Sequence, residues 1–169
     1  MCIRDSVQTG DISDSVTSDN FSLVKRNGFN YQIGTLDNSG DFDEIHFNIG
    51  IEDPYNNTIP DDLDVTHPLS NAVDSMYDYD TFSYVFNRIN LQRDTLSGTP
   101  ETLIEISELV PVQLALTEPI SIALGTSTEI NLRINYLNWF KGINFAVNDE
   151  NEIMQLIVQN TTNVFEYFE

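Results

Sequence analysis

The longest regular alternation in the chain runs Glu44-Ile45-His46-Phe47-Asn48-Ile49-Gly50-Ile51, with an apolar residue at every second position. A period of two places Ile45, Phe47, Ile49 and Ile51 on one side and His46 and Asn48 on the other, so the pattern predicts a half-buried strand. Thr128–Tyr136 repeats it through Ile130, Leu132, Ile134 and Tyr136. Phe82–Asp94 predicts another strand, with Phe82, Tyr84 and Phe86 sharing a face. Leu103–Glu108, Val112–Leu116 and Ile120–Leu124 read as short strands parted by Pro111 and Pro119, because proline cannot donate to a ladder. Earlier in the chain, Phe21–Lys25 and Phe29–Leu36 are β-rich runs around an Asn27-Gly28 turn, and Asp37–Gly40 makes a second turn.

The period changes near the end. Ile153, Leu156, Ile157 and Asn160 recur at helical spacing after Asp149-Glu150, acids that favour the positive end of a helix dipole. Val164, Phe165 and Phe168 are expected to pack a terminal turn onto the sheet. Trp139, in Asn138-Trp139-Phe140-Lys141-Gly142, lies between the last strand and this helix and reads as a core anchor. Many short strands with proline and glycine turns predict an all-β chain, an antiparallel β-sandwich with a short C-terminal helix. Glu52–Asp80 breaks the pattern: it carries Pro54, Pro60 and Pro68, many Asp and Asn, and few core candidates. A loop of that length in a compact domain is usually functional or poorly ordered.

Residues 1–6, Met-Cys-Ile-Arg-Asp-Ser, match the translation of a transposase adapter used in sequencing libraries and are expected to be foreign. Residues 7–20 are rich in Ser, Asp and Thr and read as a disordered tail or severed connection. Residues 21–169 then form the C-terminal part of one domain, whose N-terminal strands and signal peptide are expected upstream.

Charge narrows the partners. The chain has 27 Asp and Glu against 7 Lys and Arg, a formal net charge of −20. Nucleic-acid binding needs basic side chains to displace counterions from phosphates, so that class is excluded and an anionic membrane surface is disfavoured. Metal cations and basic partners fit the sign, and the same acidity keeps a protein soluble. No run approaches the roughly 18 apolar residues of a membrane span, so no transmembrane segment is expected. The single cysteine, Cys2, falls within residues 1–6. The remainder therefore offers no thiol nucleophile, disulfide or thiolate ligand.

Signals for catalysis are missing from the sequence: there is no glycine-rich phosphate loop, no G-x-S-x-G and no H-E-x-x-H. Abundant carboxylates do not by themselves make the paired acids of a glycosidase. The expectation is a non-enzymatic protein, with a hydrolase as a distant third reading. Two histidines are present. His46 lies on the polar face of its strand beside Glu44 and Asn48. His67 lies in the long loop, in Asp64-Val65-Thr66-His67-Pro68, upstream of Met76, Tyr77 and Tyr79. Imidazole and thioether together suit Cu(I), and nearby carboxylates from Asp64 or Asp74 would draw in harder cations. The metal ligands expected are thus His67 with Met76, joined by His46 only if the loop folds back over that strand. Asp37–Glu44 fails as an EF-hand, because the sixth and twelfth positions counted from Asp37 are Phe42 and Asn48 rather than glycine and an acid. Asp61, Asp62 and Asp64 read as a solvated acidic loop before they read as a calcium site.

In order and spacing these segments resemble the MbnP-like proteins, extracytoplasmic β-sandwich proteins associated with copper acquisition. The run Asp43–Glu52 resembles their "I-x-F-x-I-G-V-D" strand, with Gly40 and Phe42 where the family has a glycine and an aromatic residue. His67–Asn71 and Met76-Tyr77-Asp78-Tyr79 resemble the approach to its Met-aromatic segment. Phe82–Leu91 is similar to its aromatic "G-Y-x-F" strand, with Thr81 in place of the glycine. Ile130–Tyr136, Asn138–Asn144 and Ile153-Met154-Gln155 with Asn160 and Phe165 resemble its closing strand, "W-F-x-G" turn and "I-M-Q…N…F" helix. The resemblance spans Phe21–Phe168. It implies a periplasmic or cell-surface protein, of lipoprotein type, that binds or hands over copper. In some relatives a tryptophan of the Met-aromatic segment is oxidised to kynurenine by a di-haem partner enzyme. Here those positions hold Tyr77 and Tyr79, and His67 adjoins Pro68 rather than lying further upstream. A metal-free structural or adhesive surface domain of the same fold is the alternative.

Overall fold

The computed structural model describes residues 2–8, 13–14, 22–24, 30–31, 39–53, 55–67, 69–71 and 76–168, with the backbone alone over 2–8, 13–14 and 22–23. The expected Asn27-Gly28 turn and nearly all of Phe29–Leu36 lie outside the described residues. The chain is all-β with a short C-terminal helix.

The principal sheet contains β1 (Cys2–Gln8), β2 (Ser13–Asp14), β3 (Ser22–Leu23), β4 (Gly40–Ile49) and a long strand that follows much later, Val110–Ile122. Between them in the chain come β5 (Tyr77–Asp78), β6 (Ser83–Tyr84), β7 (Asn87–Leu91) and β8 (Thr102–Ile106), which makes Val110–Ile122 β9. The remaining elements are β10 (Leu132–Ile134), α1 (Tyr136–Trp139), α2 (Glu150–Thr161) and β11 (Phe165–Tyr167). The sheet runs β2-β1-β4-β9, with β3 also on β1, and every described pairing is antiparallel. Separate two-stranded pairs join β5 to β6, β7 to β8 and β10 to β11.

Cys2–Gln8, which the sequence sets outside the domain, runs beside β4 from Ile3 opposite Ile49 to Gln8 opposite Glu44. On the other side of β4, β9 pairs Ile49 with Val110 and Phe47 with Val112. The expected strands Val112–Leu116 and Ile120–Leu124 are therefore one strand. Its register slips between Ala115 and Ile120, so Pro119 falls where ladder bonds are already interrupted. Pro111 is tolerated because β9 ends the described sheet and its missing N–H removes no bond from a central ladder.

Alternation decides what this sheet buries. Ile45, Phe47 and Ile49 of β4 and Val110, Val112 and Leu114 of β9 face one core. Leu91, Ile104 and Ile106 from the β7–β8 pair, Ile153 and Ile157 from α2, and Val164 and Phe165 close it from the other side. Phe165 meets Phe47 edge to face, with ring centres 5.0 Å apart. The terminal segment expected as a turn is thus a strand with its first aromatic in the core, while Phe168 lies outside beneath the Arg133 guanidinium.

Helix α2 starts where the acidic pair predicts. The Asp149 carboxylate accepts from the Glu152 amide and the Glu152 carboxylate accepts from the Asp149 amide, a reciprocal cap. Trp139 is buried beside it, and its indole N–H donates to Thr161 Oγ1 at 3.1 Å. The Asn160 side chain adds bonds to the carbonyls of Trp139 and Lys141. The tryptophan thus anchors the turn after the last long alternation to the helix.

One expected face does not form. Tyr84, Val85 and Phe86 are all buried in succession, and Phe82 is 68% exposed at φ 54°. The chain crosses here from one strand pair to another: the Val85 amide donates to the Met76 carbonyl, and the Phe86 amide donates to that of Ile106. Such a crossing is enclosed on both sides, which removes the alternation the sequence suggests. Thr128–Tyr136 is also less regular than its pattern: Ile130 and Ile134 pack on the core, while Leu132 and Tyr136 are exposed.

Candidate functional site

The Glu52–Asp80 segment is built around an apolar cluster of its own. Ile51, Leu69, Tyr77, Tyr84 and Phe86 are buried together, with Leu63 and Leu109 packed against them. Among the described residues the segment itself supplies few core side chains, Leu69 and Tyr77 with the buried Pro60. Periodicity hides them because the segment folds through single 3-10 turns at Tyr55–Asn57 and Pro60–Asp62 rather than through long regular elements. Side-chain amides hold these turns: Asn57 donates to Asp53, and Asn56 accepts from the Tyr84 amide.

His67 closes a turn that its neighbours prepare. The Thr66 amide and hydroxyl both donate to Asp64 Oδ1, at 2.9 and 2.6 Å, and the His67 amide donates to the Asp64 carbonyl. These bonds from Thr66, the hydroxyl first, hold the Asp64 carboxyl below its ordinary range, so it stays anionic near neutral pH. The Leu69 amide donates to His67 Nδ1 at 3.1 Å. An acceptor Nδ1 puts the proton of the neutral ring on Nε2, so a metal would have to take the place of the Leu69 amide at Nδ1 or displace that proton. The Asp-x-Thr turn is legible in sequence as an Asx turn; the Leu69 contact is not.

Met76 is half-buried immediately before β5, and its carbonyl accepts from Val85 at 2.6 Å. Beyond it, Tyr77 lies edge to face with both Tyr79 and Tyr84, and the Tyr84 hydroxyl donates to the Leu69 carbonyl at 3.0 Å. The segments carrying His67 and Met76 therefore meet on one cluster. Close by in the same segment, Asn71 donates to Asp61 Oδ1 and to the Tyr79 hydroxyl, which itself donates to Asp61 Oδ2. Sequence reading missed this polar group, because its members are up to 18 positions apart.

His46 lies on the polar face of β4. It alternates with the core-facing Ile45 and Phe47, and its Nε2 pairs with Glu44 Oε2 at 2.8 Å. Gln113, opposite His46 across the ladder, donates to the same oxygen at 2.8 Å. The bond from His46 and then that from Gln113 lower the Glu44 carboxyl below its ordinary value. Asp74 and Pro68 lie outside the described residues. Among the described residues, no group of three or more His, Cys, Asp and Glu side chains is placed to hold a metal ion. A site here would rest on imidazole and thioether rather than on a carboxylate cage.

No family profile, no curated protein and no solved structure matches the chain. Among the described residues no helix is long and apolar enough to cross a membrane.

Proposed function

We propose that this chain is a non-enzymatic, extracytoplasmic domain of the MbnP-like kind that binds Cu(I) through His67 and Met76. The observation that carries this reading is the common cluster beneath them. Leu69, two residues after His67, and Tyr77, next to Met76, are buried together. The Leu69 amide fixes the orientation of the His67 ring, and a metal at Nδ1 would take the place of that bond. Imidazole and thioether match the soft cuprous ion, and the bound ion would supply a store for transfer rather than a catalytic centre. Asp61, Asp62 and Asp64 would raise the local concentration of cations around the loop. His46, held by Glu44, is not required. Nor is a di-haem partner: Tyr77 and Tyr79 replace the oxidisable tryptophan and serve the packing of the loop.

The test is a Cu(I) competition titration against a chromophoric chelator, with the intact protein and its His67→Ala variant. Loss of an outer-shell partner typically costs about 10–100-fold in metal affinity, and loss of a direct ligand should cost at least that. Equal affinity in the two proteins overturns the proposal. The metal-free structural or adhesive surface domain then becomes the leading reading.

A further inference from the structure

We draw no further inference here: the strongest candidate, the exposed Asp61–Asn71–Tyr79 side-chain cluster at the β5–β6 hairpin, is an acidic surface group joined by its own hydrogen bonds, and nothing in the structure shows what would cover it.

Discussion

The ring of Phe86 occupies the place where a side chain on Gly50 would stand. A Cβ built there would come within 2.5 Å of Phe86 Cδ2, and Gly50 has φ +115°, a conformation that L side chains rarely adopt. Gly50→Ala should therefore destabilise the protein by about 2–4 kcal/mol, combining overpacking with backbone strain. Urea unfolding of the two proteins measures this directly. An unchanged midpoint would mean that Phe86 does not lie on this backbone.

Trp139 offers a second test of the packing. Trp139→Ala removes a large buried side chain and should cost about 3–5 kcal/mol. Trp139→Phe keeps much of the volume but deletes the bond to Thr161, and should cost roughly 1–3 kcal/mol in addition to small packing losses. If the two variants unfold at the wild-type denaturant concentration, the tryptophan is not an anchor.

Phe82 predicts a gain. Its positive φ is unfavourable for an aromatic residue, and its ring is mostly in solvent. Asn enters this region more readily, so Phe82→Asn should raise stability by up to about 1 kcal/mol. Thermal unfolding monitored by circular dichroism would register the shift, and a clear loss would reveal a contact made by the ring.

Glu44 carries a pH signature. Its folded pKa is depressed, so its contribution to stability is present above the ordinary glutamate value of 4.5 and is lost as pH falls through the lowered folded value. The group is partly exposed, so the effect is best read as a titration midpoint. Carbon-detected NMR should place that midpoint below 4.5 in the wild type. His46→Ala removes the leading hydrogen bond and should move it upwards. A midpoint indifferent to this substitution would assign the depression to another partner.

Met76 separates copper binding from loop packing. Met76→Leu conserves apolar volume within about 1.5 kcal/mol of stability but deletes the sulfur. Cuprous affinity should fall while the unfolding midpoint stays close to wild type. Unchanged affinity would remove the thioether from the proposed ligand set.

Regular segments were the legible part of the fold. Ile45, Phe47 and Ile49 sit on the core face that their spacing predicts, and the Asp149 cap opens the helix that buries Ile153 and Ile157. Sequence reading went astray where a segment leaves one partner for another. Val85 looked like the outward member of an alternating strand but is buried, because the strand changes partners on either side of it. Proline also misled: Pro119 reads as a strand end, yet β9 passes it through an interruption of its ladder. At the proposed site, the Asp64–Thr66 turn follows from local spacing, as does the place of His46 on the polar face of β4. The hold of Leu69 on His67, and the junction of the Leu69 and Tyr77 segments, depend on tertiary packing that no local pattern encodes.

The successive amides of Val85 and Phe86 reach different strand pairs, one to Met76 just before β5 and one to Ile106 of β8 in the larger core. Opening the loop would therefore draw Phe86 off Gly50 and expose an end of the larger interior. The loop should not behave as a lid that opens at low cost. In hydrogen–deuterium exchange, the amides of Val85, Phe86 and β8 should lose protection together, at a free energy close to that of global unfolding.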